Sequence, residues 1–220
     1  MMSLKVSIYS DYVCPFCFIG KDQLEKAIKE TDIEVSVEWK TFELRPKPLA
    51  QLDPNNDTSK LSLWQQVIYP RIEAWDINMK LPNVSPHPYT DLAHEGFYYA
   101  KAHGKANDYN HRVYEAFFQE DQNIGEIEVL TQLAKEVGLN EDEFKDALVS
   151  RKYSPTRMKA LEHANKEANI TGVPTFIIGE ERINGVVDKG TFEKVLKQES
   201  DKLKASGISD MQCSIDGGFC

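Results

Sequence analysis

A Cys-Pro-Phe-Cys motif at residues 14–17 is the feature that most restricts the structures this chain can form. Before it, residues 4–9 alternate apolar and polar side chains, which indicates a strand. After it, the segment from Pro15 to about Glu30 is predicted to be a helix, and proline is tolerated at the first helical position because no N–H is required there. The motif therefore lies where a strand passes directly into a helix.

Two thiols in this position suit thiol–disulfide exchange. The unsatisfied N–H groups and the positive end of the macrodipole at a helix N-terminus favour the thiolate form of a cysteine. Motifs of this kind have thiol pKa values of roughly 3.5 to 7.5 instead of about 8.5. We predict that Cys14 is the exposed, attacking cysteine and that Cys17, one helical turn later, resolves the mixed disulfide.

A structural zinc site is the alternative interpretation of the cysteine pair. Such sites need four ligands, usually as two closely spaced pairs, and the sequence has no second Cys-x2-Cys. The other two cysteines, Cys213 and Cys220, follow at the far end of the chain with six residues between them. The spacing therefore favours redox chemistry, and we predict no metal site.

Composition sets further limits. The formal net charge of −9 at pH 7 argues against binding nucleic acid or an anionic membrane through bulk charge. No run approaches the roughly 18 consecutive apolar residues of a membrane span, and the first residues lack the apolar stretch of a secretory signal. We therefore expect a cytoplasmic protein, in which four cysteines are too few for a disulfide scaffold.

The hydrophobic pattern divides the chain into three segments. The first ends with a second strand over residues 33–39, which has a clear period of two, and the middle segment, about 58–168, is helical in pattern throughout. The third returns to strands at 175–178 and 182–185, which flank a glycine-containing turn and precede a helix at 190–204. The order predicts one sheet domain that is interrupted by a block of helices.

The predicted boundaries follow from this order. Residues 1–50 and 170–205 form a discontinuous sheet domain, residues 51–169 form the helical insertion, and residues 206–220 form an irregular tail that carries two cysteines.

A second motif, Gly-Val-Pro, precedes the third predicted strand and places Val173 and Pro174 at its entry. A proline entering a central strand is unfavourable because it removes a donor from the ladder. The residues alone leave the peptide bond trans by default, since only about 5–6% of X-Pro bonds in folded proteins are cis.

The two motifs in this order resemble those of the thioredoxin superfamily, and the helical block between them resembles the DsbA family. Within that family, the run from Ser10 to Cys17 is most similar to the cytoplasmic FrnE-like group, which is often placed beside 2-hydroxychromene-2-carboxylate isomerases. The resemblance covers about residues 4–204. It implies an α/β protein with a thioredoxin fold and an all-helical insertion domain between the second and third strands.

The resemblance also implies the layout of the site. Pro174 would be cis and would pack beside the cysteine pair, and the backbone of Val173 would pair with an extended substrate segment. Pro15 and Phe16 complete the expected substrate-binding set. In one respect the chain departs from the family, because Ile8 stands where many relatives carry a buried acid in the first strand. Asp11 is nearer to the motif but is predicted to lie in the loop, so the proton-transfer base stays unassigned.

Two further features stay open at this level. The tail with Cys213 and Cys220 looks like a variant of the FrnE-like tail and is either a second redox pair or two bystander thiols. Of the five histidines, His87 lies between prolines in a long loop and is the candidate for a substrate-side group, whereas the others are expected to be solvated or packed. Six aromatic residues of the middle segment are expected to form its core: Phe97, Tyr98, Tyr109, Tyr114, Phe117 and Phe118.

The leading prediction is a thiol–disulfide oxidoreductase that acts on protein or peptide thiols and disulfides. No organic cofactor is needed because the two sulfurs carry the electrons, and glutathione is a candidate electron partner. The alternatives are a glutathione-dependent isomerase or transferase of the kappa-like type, whose members usually have serine at the position of Cys14, and a redox-switched binding or chaperone module. The direction of electron flow, the physiological partner and the oligomeric state do not follow from the sequence.

Overall fold

Four strands form the sheet in the computed structural model, which describes residues 3–215 of the chain and the side chains of residues 3–205. The strands are β1 (Leu4–Ser10), β2 (Val35–Thr41), β3 (Thr175–Ile178) and β4 (Glu181–Asn184). Their order across the sheet is β2-β1-β3-β4. β1 is parallel to β2 and antiparallel to β3, and β3 is antiparallel to β4.

Of the described helices, one connects the first two strands, one follows the last strand, and the others lie between the second and third strands. The helices are α1 (Pro15–Glu30), α2 (Thr58–Leu63), α3 (Tyr69–Ala74), α4 (Asp91–Ala102), α5 (Ala106–Phe118), α6 (Ile127–Glu136), α7 (Glu141–Val149), α8 (Ser154–Glu162) and α9 (Lys189–Ile215). A π-helical turn over Trp64–Ile68 connects α2 to α3, and a second one over His163–Glu167 follows α8. The predicted α/β class and the all-helical block between the second and third strands are confirmed.

Pairing with β1 sets the bounds of β2. Leu4 lies opposite Val35 and Ser10 lies opposite Thr41, so β2 begins and ends two residues later than its own periodicity predicts. The strand pattern of residues 33–39 extends beyond the paired region at its start because alternation reports only which face is apolar, whereas the partner strand decides where the ladder begins.

A proline inside a helical pattern should kink or end the helix, and Pro70 follows a π-helical turn over Trp64–Ile68, after which the helix continues. The predicted end of the last helix was wrong. The last helix does not stop near residue 204 and continues to Ile215. Gly207 does not end it, since a glycine inside a helix costs only about 1 kcal/mol relative to alanine.

The missing side chain of Gly20 lets α1 approach the sheet closely. A Cβ atom at this position would lie 2.8 Å from the ring of Phe176 in β3 and 3.4 Å from Cγ of Pro174. The N-terminal half of α1 thus packs against the entry of β3. This close approach brings the two sequence motifs together.

A continuous hydrophobic core joins the sheet to the helical block. It includes Ile8 of β1, Ile19 of α1, Phe117 of α5 and Phe192 of α9, all of them buried. The six aromatic residues predicted for the core of the middle segment are buried there, apart from the half-buried Tyr98. Within the described part of the chain, no helix combines the length and the hydropathy needed to cross a bilayer.

Candidate active site

The Cys-Pro-Phe-Cys motif forms the turn between β1 and α1. The backbone N–H of Cys14 donates to the carbonyl of Asp11 at 3.1 Å, and the N–H of Cys17 donates to the carbonyl of Cys14 at 3.0 Å. Cys14 is the N-cap residue with an extended backbone, and Pro15 begins the helix. The local sequence therefore places the first thiol at the helix terminus and the second one turn inside it.

Both cysteines are free thiols and both are buried. Cys14 is 3% exposed and Cys17 is 1% exposed, so the prediction that Cys14 is an exposed residue was wrong as far as its accessible surface is concerned. Burial arises because the helical block packs over the motif, which the local pattern does not report. The two thiols still differ, since Cys14 lines an open groove and Cys17 is not among the residues that line it.

The protonation of Cys17 follows from its surroundings. Burial raises the pKa of the Cys17 thiol well above its ordinary value, and the adjacent Cys14 sulfur raises it further. The backbone N–H of Asp11 acts in the opposite direction. Cys17 therefore stays protonated at neutral pH in this state of the protein.

The Gly-Val-Pro motif lies beside the first thiol. The peptide bond between Val173 and Pro174 is cis, and the Cys14 thiol donates to the carbonyl oxygen of Val173 with an Sγ–O distance of 3.7 Å. These two residues are 159 positions apart in the sequence. The pairing of β1 with β3 and the close approach of α1 to Phe176 bring them together.

A groove of about 310 Å³ opens next to Cys14. Three of the predicted substrate-binding residues, Pro15, Phe16 and Val173, line it, and Pro174 does not. The other lining residues come from the turn before the motif, from the loop after β2 and from the helical block: Val13, Leu44, Arg45, Leu52, Pro54, Lys60, Leu63, Trp64 and His87. None of the six core aromatic residues lines this groove. Its aromatic lining residues apart from His87 are Phe16 of the motif and Trp64 of the helical block.

His87 lies in the wall of this groove and is only 2% exposed. Its backbone N–H donates to the Leu52 carbonyl at 2.7 Å, and the Gln51 side chain donates to its carbonyl at 2.9 Å. Its ring meets Phe117 edge-on at 5.0 Å between centroids. Neither ring nitrogen has a hydrogen-bond partner among the described residues, and burial lowers the pKa of His87 to about 4.

Sequence reasoning missed a buried acid–histidine pair next to the motif. Asp11 does follow β1 in a loop, as predicted, but it is 1% exposed, and its Oδ2 accepts the Leu44 N–H at 2.7 Å. Its Oδ1 lies 3.7 Å from Nε2 of the buried His94 in α4, and that nitrogen is also 3.1 Å from the Phe42 carbonyl. The nearness of Asp11 to Cys14 was the available signal, whereas nothing in the sequence distinguishes His94 from the other histidines.

The remaining predicted site residues have no described geometry. The side chain of Cys213 and the whole of Cys220 lie outside the described residues, so their pairing stays a prediction. Among the side chains that the structure describes, no group of three or more histidine, cysteine, aspartate or glutamate residues is arranged to hold a metal ion.

Comparison with known families identifies the fold that carries this site. A family model described as the DSBA-like thioredoxin domain matches residues 5–197. The chain belongs to this family. Its match spans both motifs and the helical block between them, so the predicted membership in the DsbA family is confirmed, while the finer FrnE-like assignment stays a prediction.

Two relatives place this DsbA-like chain further. It is 55% identical over 201 residues to YwbO of Bacillus subtilis (strain 168), a protein described as uncharacterized, and the match covers 91% of this chain and all of that protein. It is 26% identical over 180 residues to a 2-hydroxychromene-2-carboxylate isomerase of Pseudomonas putida, with coverage of 80% and 86%.

Solved structures share the DsbA-like fold. A probable DsbA oxidoreductase from Streptomyces coelicolor is 22% identical with a TM-score of 0.72, and the match covers 89% of each chain. The cytosolic disulfide reductase DsbM from Pseudomonas aeruginosa, solved with GSH, is 20% identical with a TM-score of 0.60 and coverage of 92% and 98%. Together with the family match, these neighbours support an enzyme of the oxidoreductase or isomerase type.

Proposed function

We propose that this protein is a thiol–disulfide oxidoreductase that exchanges disulfides with protein or peptide substrates through Cys14 and Cys17. One observation carries the proposal: the Cys14 thiol lines a groove and lies 3.7 Å from the Val173 carbonyl, with a second free thiol one helical turn behind it. A nucleophile beside a strand entry and a resolving thiol behind it are the two parts that disulfide exchange needs.

The exchange balances without an organic cofactor. The Cys14 thiolate attacks a substrate disulfide, so that a Cys14–substrate bond forms, the substrate disulfide breaks, and the leaving thiolate takes up a proton. Cys17 then loses its proton and attacks the Cys14 sulfur, which releases the second substrate thiol and leaves a Cys14–Cys17 disulfide. The substrate gains two electrons and the protein loses two, and the reverse sequence oxidises a substrate dithiol.

The difference between the two thiols supports these roles. Cys17 has a raised pKa and does not line the groove, so it reacts only after Cys14 is engaged. Val173 lines the groove at the entry of β3, where an extended segment of the substrate would add to the sheet. Pro15 and Phe16 would contact the same segment.

Glutathione is the proposed electron partner, and the cytoplasm is the proposed compartment. Arg45 and Lys60 line the groove, and Lys60 also attracts the carboxylate of Asp57. Glutathione carries two carboxylates that these cations would attract. A structural neighbour that is a cytosolic disulfide reductase, solved with GSH, supports both proposals.

A glutathione-dependent isomerase is the second candidate, because a 2-hydroxychromene-2-carboxylate isomerase is among the relatives. Two intact cysteines in the motif argue against it, since isomerisation transfers no net electrons and needs no resolving thiol. Isomerisation of 2-hydroxychromene-2-carboxylate that requires glutathione and survives Cys17→Ser would favour the isomerase.

Reduction of insulin by glutathione, followed in a parent protein with Cys213→Ser and Cys220→Ser, tests the proposal. We expect Cys14→Ser to abolish the accelerated reduction, because no thiol remains at the groove. We expect Cys17→Ser to accumulate a mixed disulfide with the substrate, which intact mass measures directly. Turnover that persists in Cys14→Ser would contradict the proposed function.

A further inference from the structure

The groove beside Cys14 combines apolar walls with a buried imidazole. Leu44, Leu52, Leu63 and Trp64 supply most of the wall contributed by the helical block and the loops before it. Apart from the cysteine motif, three of the described lining residues carry titratable side chains. Of these His87 is buried, whereas Arg45 is exposed and Lys60 is half-buried. Since Arg45 and Lys60 are cations, the groove suits a ligand group without positive charge that is apolar along its length and polar where it meets the imidazole.

The imidazole of His87 is buried without a hydrogen-bond partner in the described part of the chain. Neither Nδ1 nor Nε2 has a partner among the described residues, although both atoms are buried. Burial keeps the ring neutral at physiological pH, so that one nitrogen is a donor and the other an acceptor. A buried polar group without a partner costs free energy that a ligand can recover by bonding to it.

We propose that this groove binds a tyrosine side chain that neighbours the reacting cysteine of a peptide substrate, with its phenol hydroxyl hydrogen-bonded to His87. The inference rests on the proposed function and specifies its substrate class. The ring covers the leucines and Trp64, and the hydroxyl, which both donates and accepts, pairs with either tautomer of the imidazole.

Other side chains fit this groove less well. Phenylalanine would fill the apolar space but would leave the buried His87 without a partner. Lysine or arginine would bring a positive charge toward Arg45 and Lys60, which line the same groove. Tyrosine meets both the apolar wall and the imidazole, so the expected discrimination is against phenylalanine above all.

The reaction that reports on binding is the first exchange step. The Cys14 sulfur bonds to the peptide sulfur, the peptide disulfide breaks, and the released peptide thiolate takes up a proton from water. Cys17→Ser stops the sequence at this mixed disulfide, and Cys213→Ser with Cys220→Ser removes competing thiols. No further oxidant or reductant takes part.

Competition between two peptides measures the preference. The triple variant is mixed with equal amounts of the symmetric disulfides of two blocked peptides, Gly-Cys-Tyr and Gly-Cys-Phe, and intact mass quantifies the two adducts. The reversed orders, Tyr-Cys-Gly and Phe-Cys-Gly, are run in parallel, because either neighbour of the cysteine can enter the groove. In one of the two orders we expect the tyrosine adduct to exceed the phenylalanine adduct about fivefold to tenfold, the effect of one net hydrogen bond.

Three further variants decide whether His87 is responsible. His87→Leu should bring the ratio close to one while the phenylalanine adduct still forms, and His87→Gln, which keeps a donor and an acceptor, should retain a tyrosine preference. His163→Leu changes an exposed histidine outside the groove and should leave the ratio unchanged. Circular dichroism checks that each variant is folded.

The outcomes separate this inference from the proposed function. Adducts that form equally with both peptides in both orders, or a preference that survives His87→Leu, would overturn the role of the groove and leave disulfide exchange intact. If neither peptide disulfide nor glutathione disulfide forms an adduct at Cys14, the proposed function itself fails, and the inference falls with it.

Discussion

The side chains around Cys14 and Cys17 show how burial separates the roles of two chemically identical thiols. Cys17 lies one helical turn inside α1, where desolvation raises its pKa. Cys14 is nearly as buried, yet it reaches the groove and the Val173 carbonyl. Asp11 and His94 form a buried pair next to the motif, although the first strand has Ile8 where many related proteins have an acid.

Burial of His87 makes the stability of the folded protein depend on pH. The pKa is about 4 in the folded protein and about 6.5 in an unfolded chain. The unfolded state therefore binds the proton first as the pH falls, and the folded state loses stability between about pH 6.5 and pH 4. The full difference corresponds to about 3 kcal/mol.

Urea denaturation at pH 7.0 and pH 4.5 checks this prediction. His87→Gln, which does not titrate, should lose about 2 kcal/mol less than the wild type between the two values, and His163→Leu, at an exposed site, should behave as the wild type. Equal losses in wild type and His87→Gln would show that His87 is not buried in its neutral form.

At the level of elements, two contacts hold the site together: α1 against β3, and α4 against α8. Gly20 allows the first because it has no Cβ atom to meet Phe176. The second is an ion network in which the fully buried Glu95 of α4 accepts from Arg151, and from Arg157 of α8. Arg157 also pairs with Glu43, just beyond β2, so the network ties the helical block to the end of the sheet that carries the motif.

Gly20→Ala should destabilise the protein although alanine is the better helix former. The new Cβ atom would lie 2.8 Å from the buried ring of Phe176. Overpacking of this kind costs about 1–3 kcal/mol, which exceeds the gain of about 1 kcal/mol in helix propensity. Urea denaturation measures the change. Gly172→Ala, where no atom lies within 4 Å of the new Cβ, is the matched control and should be neutral; an equal or higher stability of Gly20→Ala would refute the close approach.

Glu95→Gln should lower the free energy of unfolding by about 2 kcal/mol, because it removes the buried charged acceptor that Arg151 and Arg157 share. The two arginines keep Asp91 and Glu43 as their other partners. Glu136→Gln removes an exposed carboxylate from Arg112 and should cost less than about 1 kcal/mol. Chemical denaturation of both variants compares the two sites. Similar small losses would mean that the network does not hold α4 to α8.

In the described part of the chain one main hydrophobic core joins the sheet to the helical block, and Tyr9, Ala164 and Ile170 form a small second cluster. Tyr114 of α5 is fully buried, and its ring lies 5.8 Å from Phe18 of α1 and 6.5 Å from Trp39 of β2. Its hydroxyl donates to the Asp11 carbonyl at 3.2 Å. The helical block therefore supplies part of the core around the cysteine motif, and it does not pack as a separate unit.

We expect the chain to unfold in a single cooperative transition, because removal of the helical block would expose the apolar surface of α1 and β2. Circular dichroism and tryptophan fluorescence should give the same midpoint in a denaturant titration, since Trp39 reports on the sheet and Trp64 on the helical block. Two separated midpoints would show that the discontinuous sheet domain and the insertion fold independently.

The local elements and the chemistry of the motif can be predicted from the sequence. Alternation placed β1, the glycine-containing turn between two strand-like runs placed β3 and β4, and the Cys-Pro-Phe-Cys run marked both the start of α1 and the two thiols. These features follow from interactions between residues close in the chain, such as the period of a strand and the tolerance of proline at a helix start.

The surroundings of the thiols depend on the tertiary structure. The contact of Cys14 with Val173 spans 159 residues, and the pairing of Asp11 with His94 joins the loop after β1 to α4. The burial of His87 beside Phe117, and with it the polar point in the groove, depends on how a proline-rich loop packs on α5. Such contacts form when segments that are far apart in the sequence pack against each other. Local periodicity carries no information about which distant side chains meet.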